Sequence, residues 1–474
     1  MIKKGPKRKR NKNIKTIVII EIIILIILIM VFLFYKLRKG STDSPANDDM
    51  NQSNNIDDAE DDGKSKLSKE ELEALDQQKR LEKEEKDRQE FINQANKLKQ
   101  SYDYDGAIDY IKTYQGEQGG YDRYKIFTDA IAEIEEEKAK LLLYGGSYDS
   151  VTQFNHIFFH SLIADNSKAF DGDYESVGYN MYMTTIYEFE KIINKMYLDG
   201  YVLVSMHDIA IKETAEDGSS KFVENKIYLP EGKKPFVLSV DDVSYYEYMT
   251  GDGFPTKLII DDDGRVINEM ISDDGSIIKG NFDVSPILDK FVEEHPDFSY
   301  KGAKGTLALT GYNGVLGYRT NDLESPKYEE EVKEAKKVAQ ALKDNGWEFA
   351  SHGWGHRDSL KISDAEFIKD AQRWLDEVEH ILGPTDLFIF PFGIEFERTI
   401  GTFTSAKYKF CKENGFDYFC GVEGKPWMQI QKDYVRMNRR PLDGQAMLQF
   451  PERLVDLFDV NEVIDPERPA RDWD

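Results

Sequence analysis

The chain has 474 residues, enough for two or three structural units. Charged residues make up 32% and aromatics 12%, which excludes a low-complexity chain and a greasy transporter. The net charge of −26 is uneven: residues 1–40 carry eleven Lys or Arg against a single acid, Glu21, and the remainder has 51 basic against 87 acidic residues. A body this acidic argues against a nucleic-acid partner, because phosphate binding needs a basic footprint. It tolerates neutral substrates and hard cations. Cys411 and Cys420 are too few for a disulfide scaffold or a thiolate cluster, and read equally as one bond or two thiols.

In chain order, residues 1–15 form a basic tail and residues 16–36 an apolar span, TIVIIEIIILIILIMVFLFY from Thr16 to Tyr35. At 1.5 Å per residue this is about one bilayer of helix. The h-region of a cleaved signal peptide would be shorter and end in small residues, neither of which is seen. Eight basic residues before the span and three after it predict a cytoplasmic amino terminus and an extracellular body. Residues 37–66 are polar, acidic and poor in apolar groups, and predict a disordered linker. Residues 67–145 predict a helical stalk or hairpin. A long Glu/Lys/Leu/Gln helix comes first, its Leu67, Leu72, Leu75 and Leu81 stripe too thin to require a coiled coil but open to homodimer formation; two amphipathic stretches split by Gly116, Gly119 and Gly120 follow.

From residue 146 to 474 short β-rich runs alternate with helical ones. FNHIFFHSL, YVLVSM, KPFVLSV, TKLII, GTLALTG, WEFASHG and DLFIFPFG read as buried strands; Thr185–Asp199, Glu329–Asp344 and Asp364–Leu382 read as amphipathic helices. This predicts an α/β fold with a largely parallel sheet, open to closure as a barrel. In such barrels chemistry collects at the carboxyl ends of strands.

Four segments place polar groups there. KPFVLSVDD ends in Asp241 and Asp242, two carboxylates able to divide metal binding and proton transfer, although this chain has many acidic turns. WEFASHGWGHRD carries His352 and His356, whose spacing of four puts both imidazoles on one face if a helical turn begins at Gly353. Two histidines and a carboxylate, with Asp242 the natural candidate, form a recurrent catalytic zinc set that leaves room for water. In FNHIFFHSL, His156 and His160 share a strand face with His160 at the strand end beside Ser161, and LFIFPFG leaves its strand through Pro391; each alone is adequately explained as structure.

Taken together and in order, the four resemble the polysaccharide deacetylases of the NodB-homology type, carbohydrate esterase family 4. Asp241 and Asp242 in SVDD resemble its TFDD motif, His352 and His356 its H-(S/T)-x-x-H pair, and Phe390–Gly393 its R-x-P-Y-G segment. The resemblance implies a distorted (β/α) barrel, here preceded by a transmembrane helix and a helical stalk. It implies Asp241 as catalytic base, Asp242, His352 and His356 as ligands of a divalent metal, most often Zn²⁺, and the Phe392 N–H as an oxyanion donor. The family's acid histidine near the carboxyl end has no counterpart, since no histidine follows His380. FFHSL resembles instead the upstream motif of the circularly permuted poly-N-acetylglucosamine deacetylases, which implies His160 as the acid.

The departures are Ser239 and Val240 before the acids, Val243 after them, Gly353 in place of a hydroxyl residue, and the missing arginine of the proline segment. Arg439 or Arg440 is the candidate to orient Asp241. Tyr245, Trp354 and Pro391 are candidate substrate contacts, and the insertion 248–284 is expected to rim the cleft. The implied function is metal-dependent removal of N-acetyl or O-acetyl groups from an acetylated polysaccharide at a Gram-positive-like cell surface, the membrane being engaged through 16–36. The alternative is a catalytically inactive carbohydrate-binding or wall-associated structural protein of the same fold.

Overall fold

The computed structural model describes residues 68–144, 154–471 and 473. The basic tail, the apolar span 16–36 and the linker lie outside them. Among the described residues no helix is long and apolar enough to cross a membrane. Residues from Ala74 onward form one compact unit; of Met1–Glu73 only the first residues of a helix are described.

That helix, α1 (Lys69–Gln100), is followed by α2 (Tyr104–Lys112) and α3 (Lys125–Lys138). Leu72, Leu75 and Leu81 are exposed, whereas Ile92 and Ala95 are buried. Phe91 stacks on Tyr110 at 4.5 Å between ring centroids and meets Phe127 edge-on. The apolar residues of the hairpin share a core cluster with Val202, Tyr300 and Leu387 of the following domain, and Tyr102 donates its hydroxyl to the Asp297 carbonyl at 2.8 Å. The hairpin is thus docked against the barrel, burying its apolar face there.

Seven parallel strands form that barrel: β1 (Asn155–Phe159), β2 (Lys234–Val240), β3 (Gly305–Leu309), β4 (Trp347–Ser351), β5 (Leu387–Ile389), β6 (Tyr418–Val422) and β7 (Val435–Pro441). Each pairs with the next in chain order, and β7 pairs with β1, which closes the ring. Val240 stands opposite both Phe159 and Leu307, and Leu309 opposite Ser351, so the strand ends are level. Nearly every strand residue is buried, as expected of strands covered on both faces. Helices cover the outside, among them α4 (Ile186–Leu198), α5 (Val284–Glu294), α6 (Tyr328–Asp344), α7 (Asp364–Trp374) and α8 (Ala406–Glu413). Thr185 with Glu188, and Ser363 with Glu366, close capping boxes that start α4 and α7 where the sequence places them.

Two of the strands read from sequence are not barrel staves. Tyr201–Leu203 pairs along β2 as an outer strand, with one further bridge from Leu203 to Ser299, and Lys257–Ile260 joins Val266–Ile271 and Ile277–Gly280 in an antiparallel meander within the insertion. Both have the apolar run of a buried strand, which does not say which sheet a strand enters. β6 and β7 complete the barrel instead. Both cysteines are buried free thiols; burial raises Cys420 to about 12, and Cys411 also lies well above its ordinary value.

Candidate active site

The carboxyl ends of β1 to β5 and β7 bring most of the singled-out side chains to one place. Asp242 lies with its Oδ1 4.0 Å from His352 Nε2 and its Oδ2 3.8 Å from His356 Nε2. One ligand atom from each of the three residues falls within 4.8 Å of the others. Two ligands at tetrahedral angles around zinc, each about 2.0–2.1 Å from it, stand roughly 3.3–3.4 Å apart. An inward movement of roughly half an ångström or more by each ligand therefore fits the trio to a cation. The donor chemistry also fits. His352 Nδ1 lies 2.8 Å from the Ile389 carbonyl, which can only accept, so the ring carries its proton there and presents a bare Nε2. Burial holds His352 at about 4 against the upward pull of Asp241 and Asp242, so the ring is neutral at ordinary pH.

The expected helical turn at Gly353 is not what holds the two histidines. Gly353 has φ +65° and His356 φ 48°, so the segment is a loop. Asp370 of α7 grips it, accepting from the Trp354 N–H at 2.8 Å and the Gly355 N–H at 3.0 Å. This carboxylate buttresses the ligand loop where the family pattern has a hydroxyl at position 353. A Cβ at Gly355 would lie 2.9 Å from the same carboxylate, which accounts for the glycine.

Asp242 is fixed from its own loop: the Tyr246 hydroxyl donates to its Oδ1 at 2.5 Å and lies 3.0 Å from Thr310 Oγ1. Tyr246 is stacked between Tyr312 and the exposed Tyr248, with centroids at 4.9 and 5.7 Å. Asp242 (φ 59°), His356 and Phe392 (φ 59°) all occupy the left-handed region, a backbone strain held by the surrounding bonds at the place where the ligands meet.

Arg439, not Arg440, faces Asp241. Its Nη1 donates to Asp241 Oδ1 at 2.6 Å and reaches Ser239 Oγ at 3.2 Å. Successive residues on β7 point to opposite faces, so Arg440 instead holds Asp456 and Asn155 on the other side. Burial, the largest single effect, would raise Asp241, but the charge and hydrogen bond of Arg439, together with the neighbouring histidines, outweigh it and bring the carboxyl to about 2. Ser239, at the position where the family has threonine, also bonds His156 Nε2 at 3.0 Å. Burial and Arg439 drive His156 well below its ordinary value, so it is a neutral structural ring.

His160 follows Phe159 directly, and Asp241, whose N–H donates to the Phe159 carbonyl, ends the neighbouring strand. His160 Nδ1 lies 3.1 Å from the Tyr182 carbonyl. The buried Asp443, raised from the usual carboxylate range by burial, caps the helix Gly444–Gln449. Phe392 stands on a tight turn, its ring edge-on to His356 at 4.4 Å.

Three of the expected substrate contacts have other positions. Tyr245 is buried: its hydroxyl donates to Asp283 at 2.7 Å and accepts from Asn268 at 3.1 Å, tying the insertion to the barrel, so it cannot stack on a sugar. Pro391 is buried in the turn. Trp354 is half-buried, with the Arg373 guanidinium 3.3 Å from its ring centre and its Nε1–H on Glu377. The exposed rings beside the ligands are Phe392 and Tyr248; Tyr248 stands at the start of the insertion, and periodicity alone does not distinguish it from its tyrosine neighbours.

Residues 302–411 match the family model for polysaccharide deacetylases. The matched segment, less than half of the chain, holds His352, His356 and Phe392; Asp241, Asp242 and His160 lie upstream of it. No curated protein sequence matches the chain. Among solved structures it is similar to the Streptococcus pyogenes deacetylase PplD in complex with acetate (13% identity, TM-score 0.35, covering 65% of this chain and 98% of that one). It is also similar to a de-N-acetylase from Aggregatibacter actinomycetemcomitans (15%, TM-score 0.35, 64% and 99%). A further similarity is to a CE4 family pseudoenzyme from Bacillus anthracis (13%, TM-score 0.21, 38% and 60%).

Proposed function

We propose that the protein is a metal-dependent hydrolase that removes N-acetyl groups, or O-acetyl groups, from an extracellular polysaccharide. The observation that carries this reading is the convergence of Asp242, His352 and His356 beside an Asp241 that is buried, ionised and held by Arg439. A divalent cation at the trio, zinc being the best match to two histidines and one carboxylate, supplies Lewis acidity and a water of lowered pKa.

The chain's own groups do the rest. Asp241 accepts the proton of the attacking water, its free oxygen aimed by the bond that Arg439 makes to the other. As the acetamide carbon becomes tetrahedral, the Phe392 N–H donates to the developing oxyanion, a contribution of roughly 3–4 kcal/mol for a well-placed donor. His160 protonates the departing amine; its Nδ1–H stays on the Tyr182 carbonyl while Nε2 carries the mobile proton. An O-acetyl ester needs this acid less, because an alkoxide leaves more readily than an amide anion. Taking the acid from the first strand fits the permuted branch. The closure of β7 on β1 supports this, since it seats His160 between the strands bearing Arg439 and Asp241. We extend the proposal to a single-pass anchor at 16–36 with the barrel outside the cell, on the strength of the apolar run and its basic flanks.

The test is acetate release by the full chain from chitooligosaccharide and acetylated xylan, with and without Zn²⁺ and a chelator. Metal-dependent release that Asp241→Asn and His160→Ala both abolish supports the reading. Ester cleavage untouched by His160→Ala would assign an esterase without this acid. No release despite bound metal would leave an inactive carbohydrate-binding protein.

A further inference from the structure

Beside the turn that carries Phe392, the carboxyl end of the barrel opens into a second cleft of about 870 Å³, lined by the loops after β4, β5 and β6. A smaller cavity of about 300 Å³ shares Val422, Glu423, Gly424 and Arg453 with it, so the two make one groove. The groove begins at the site itself: Asp358 lies two residues past the ligand His356, and Gly393 follows Phe392.

Its charges set it apart from a chain of net charge −26. Glu395 is engaged by the guanidinium of Arg436. Glu397 accepts the backbone N–H groups of Thr404 and Ser405, and Asp358 those of Leu360 and Lys361. Glu423 remains exposed at the rim. Against these, Arg398, Lys425 and Arg453 are all exposed and, among the described residues, have no carboxylate ion-pair partner. Arg453 is braced over the Phe450 ring at 4.0 Å, and the half-buried Trp427 adds an apolar surface. Three unpaired cations along one groove raise the local concentration of anions and select for them.

We propose that this groove binds the continuation of the substrate chain and that the continuation is anionic, a glycan bearing phosphate or carboxylate groups next to the acetylated sugar. This rests on the deacetylase reading only in taking the polymer to be a glycan. A chain with its acetamido group at the metal centre would pass the Phe392 turn into the groove, where Arg398, Lys425 and Arg453 would meet its charges.

The experiment is fluorescence anisotropy with the full chain at low salt. The probes are labelled chitohexaose (neutral), a hyaluronan hexasaccharide (carboxylate) and a ribitol phosphate hexamer (phosphate). At least one anionic probe is expected to bind about tenfold tighter than chitohexaose, and the anion that does so identifies the source. In the Arg398→Gln/Lys425→Gln/Arg453→Gln variant that ratio is expected to fall to about one. Equal binding of all three probes overturns the proposal. So does a preference that survives in the variant, which would assign it to cations elsewhere, such as those of residues 1–40. Acetate release from chitohexaose and the hyaluronan hexasaccharide, the two probes that carry acetamido groups, is followed in parallel. Release without anionic preference removes the groove and keeps the deacetylase; preference without release does the reverse.

Discussion

Arg439 Nη1 and Asp241 Oδ1 meet at 2.6 Å with both side chains shut off from water, in a barrel interior that otherwise holds mainly apolar groups. A buried charge without its partner is strongly destabilising, so each residue requires the other, and the pair holds the carboxylate in one orientation at the edge of the site. Ser239 and the neutral His156 complete the network around the guanidinium.

Arg439→Met is expected to lower stability by about 3–5 kcal/mol, the usual cost of orphaning one member of a buried pair. It also allows the Asp241 carboxyl to rise from about 2, since burial is then unopposed by Arg439. In the wild type the depressed value contributes stability above about pH 4 that is lost as pH falls through about 2. In the variant this contribution is absent, and the acidic limb of the activity profile moves to higher pH. Denaturant titrations and pH–rate profiles read both effects.

Tyr246→Phe removes the hydroxyl that donates to Asp242 and keeps the ring stacked between Tyr312 and Tyr248. Loss of such a bond to a ligating group costs about 10–100-fold in metal affinity. Zinc titration calorimetry should show this drop with little change in Tm of the metal-free protein.

At the opposite end of the barrel, His207 lies between two carboxylates, Nδ1 2.6 Å from Glu348 and Nε2 3.0 Å from Asp386. Burial would lower it, but the bonds to Asp386 and Glu348 push it up to about 10. A raised value means stability fully present below about pH 6.5 and lost as pH rises toward 10. The side chain is 38% exposed, so we expect a screened effect of about 1 kcal/mol. Tm should fall between pH 7 and 10 in the wild type, and this fall should be shallower in His207→Gln.

Gly393→Ala would put a Cβ 2.4 Å from that of Val422, at a backbone φ of +67°. The strain is expected to cost about 1–3 kcal/mol and to displace the neighbouring Phe392 N–H. Acetate release should therefore fall further than metal binding does, a split measured by assaying both on the same preparation.

The sequence by itself determined the chemistry to look for and roughly where it stands. Asp241, Asp242, His352 and His356 were legible because each follows an apolar run, and the end of a buried strand is where polar groups can gather. Three helices of the outer layer were legible as amphipathic runs, Thr185–Asp199, Glu329–Asp344 and Asp364–Leu382. What only the tertiary structure decided depends on contacts between residues far apart in the chain. Arg439 and Arg440 are equal in sequence, and one residue of strand pleat sends the first to Asp241 and the second to Asp456. Tyr245, Tyr246 and Tyr248 read alike, yet the fold buries the first against Asp283, gives the second to Asp242 and leaves the third in solvent. Asp370, from a helix further along the chain, replaces the buttress that the glycines of the histidine loop lack. Local pattern reports which residues want burial or a turn; which partner each meets is set by the closure of the barrel.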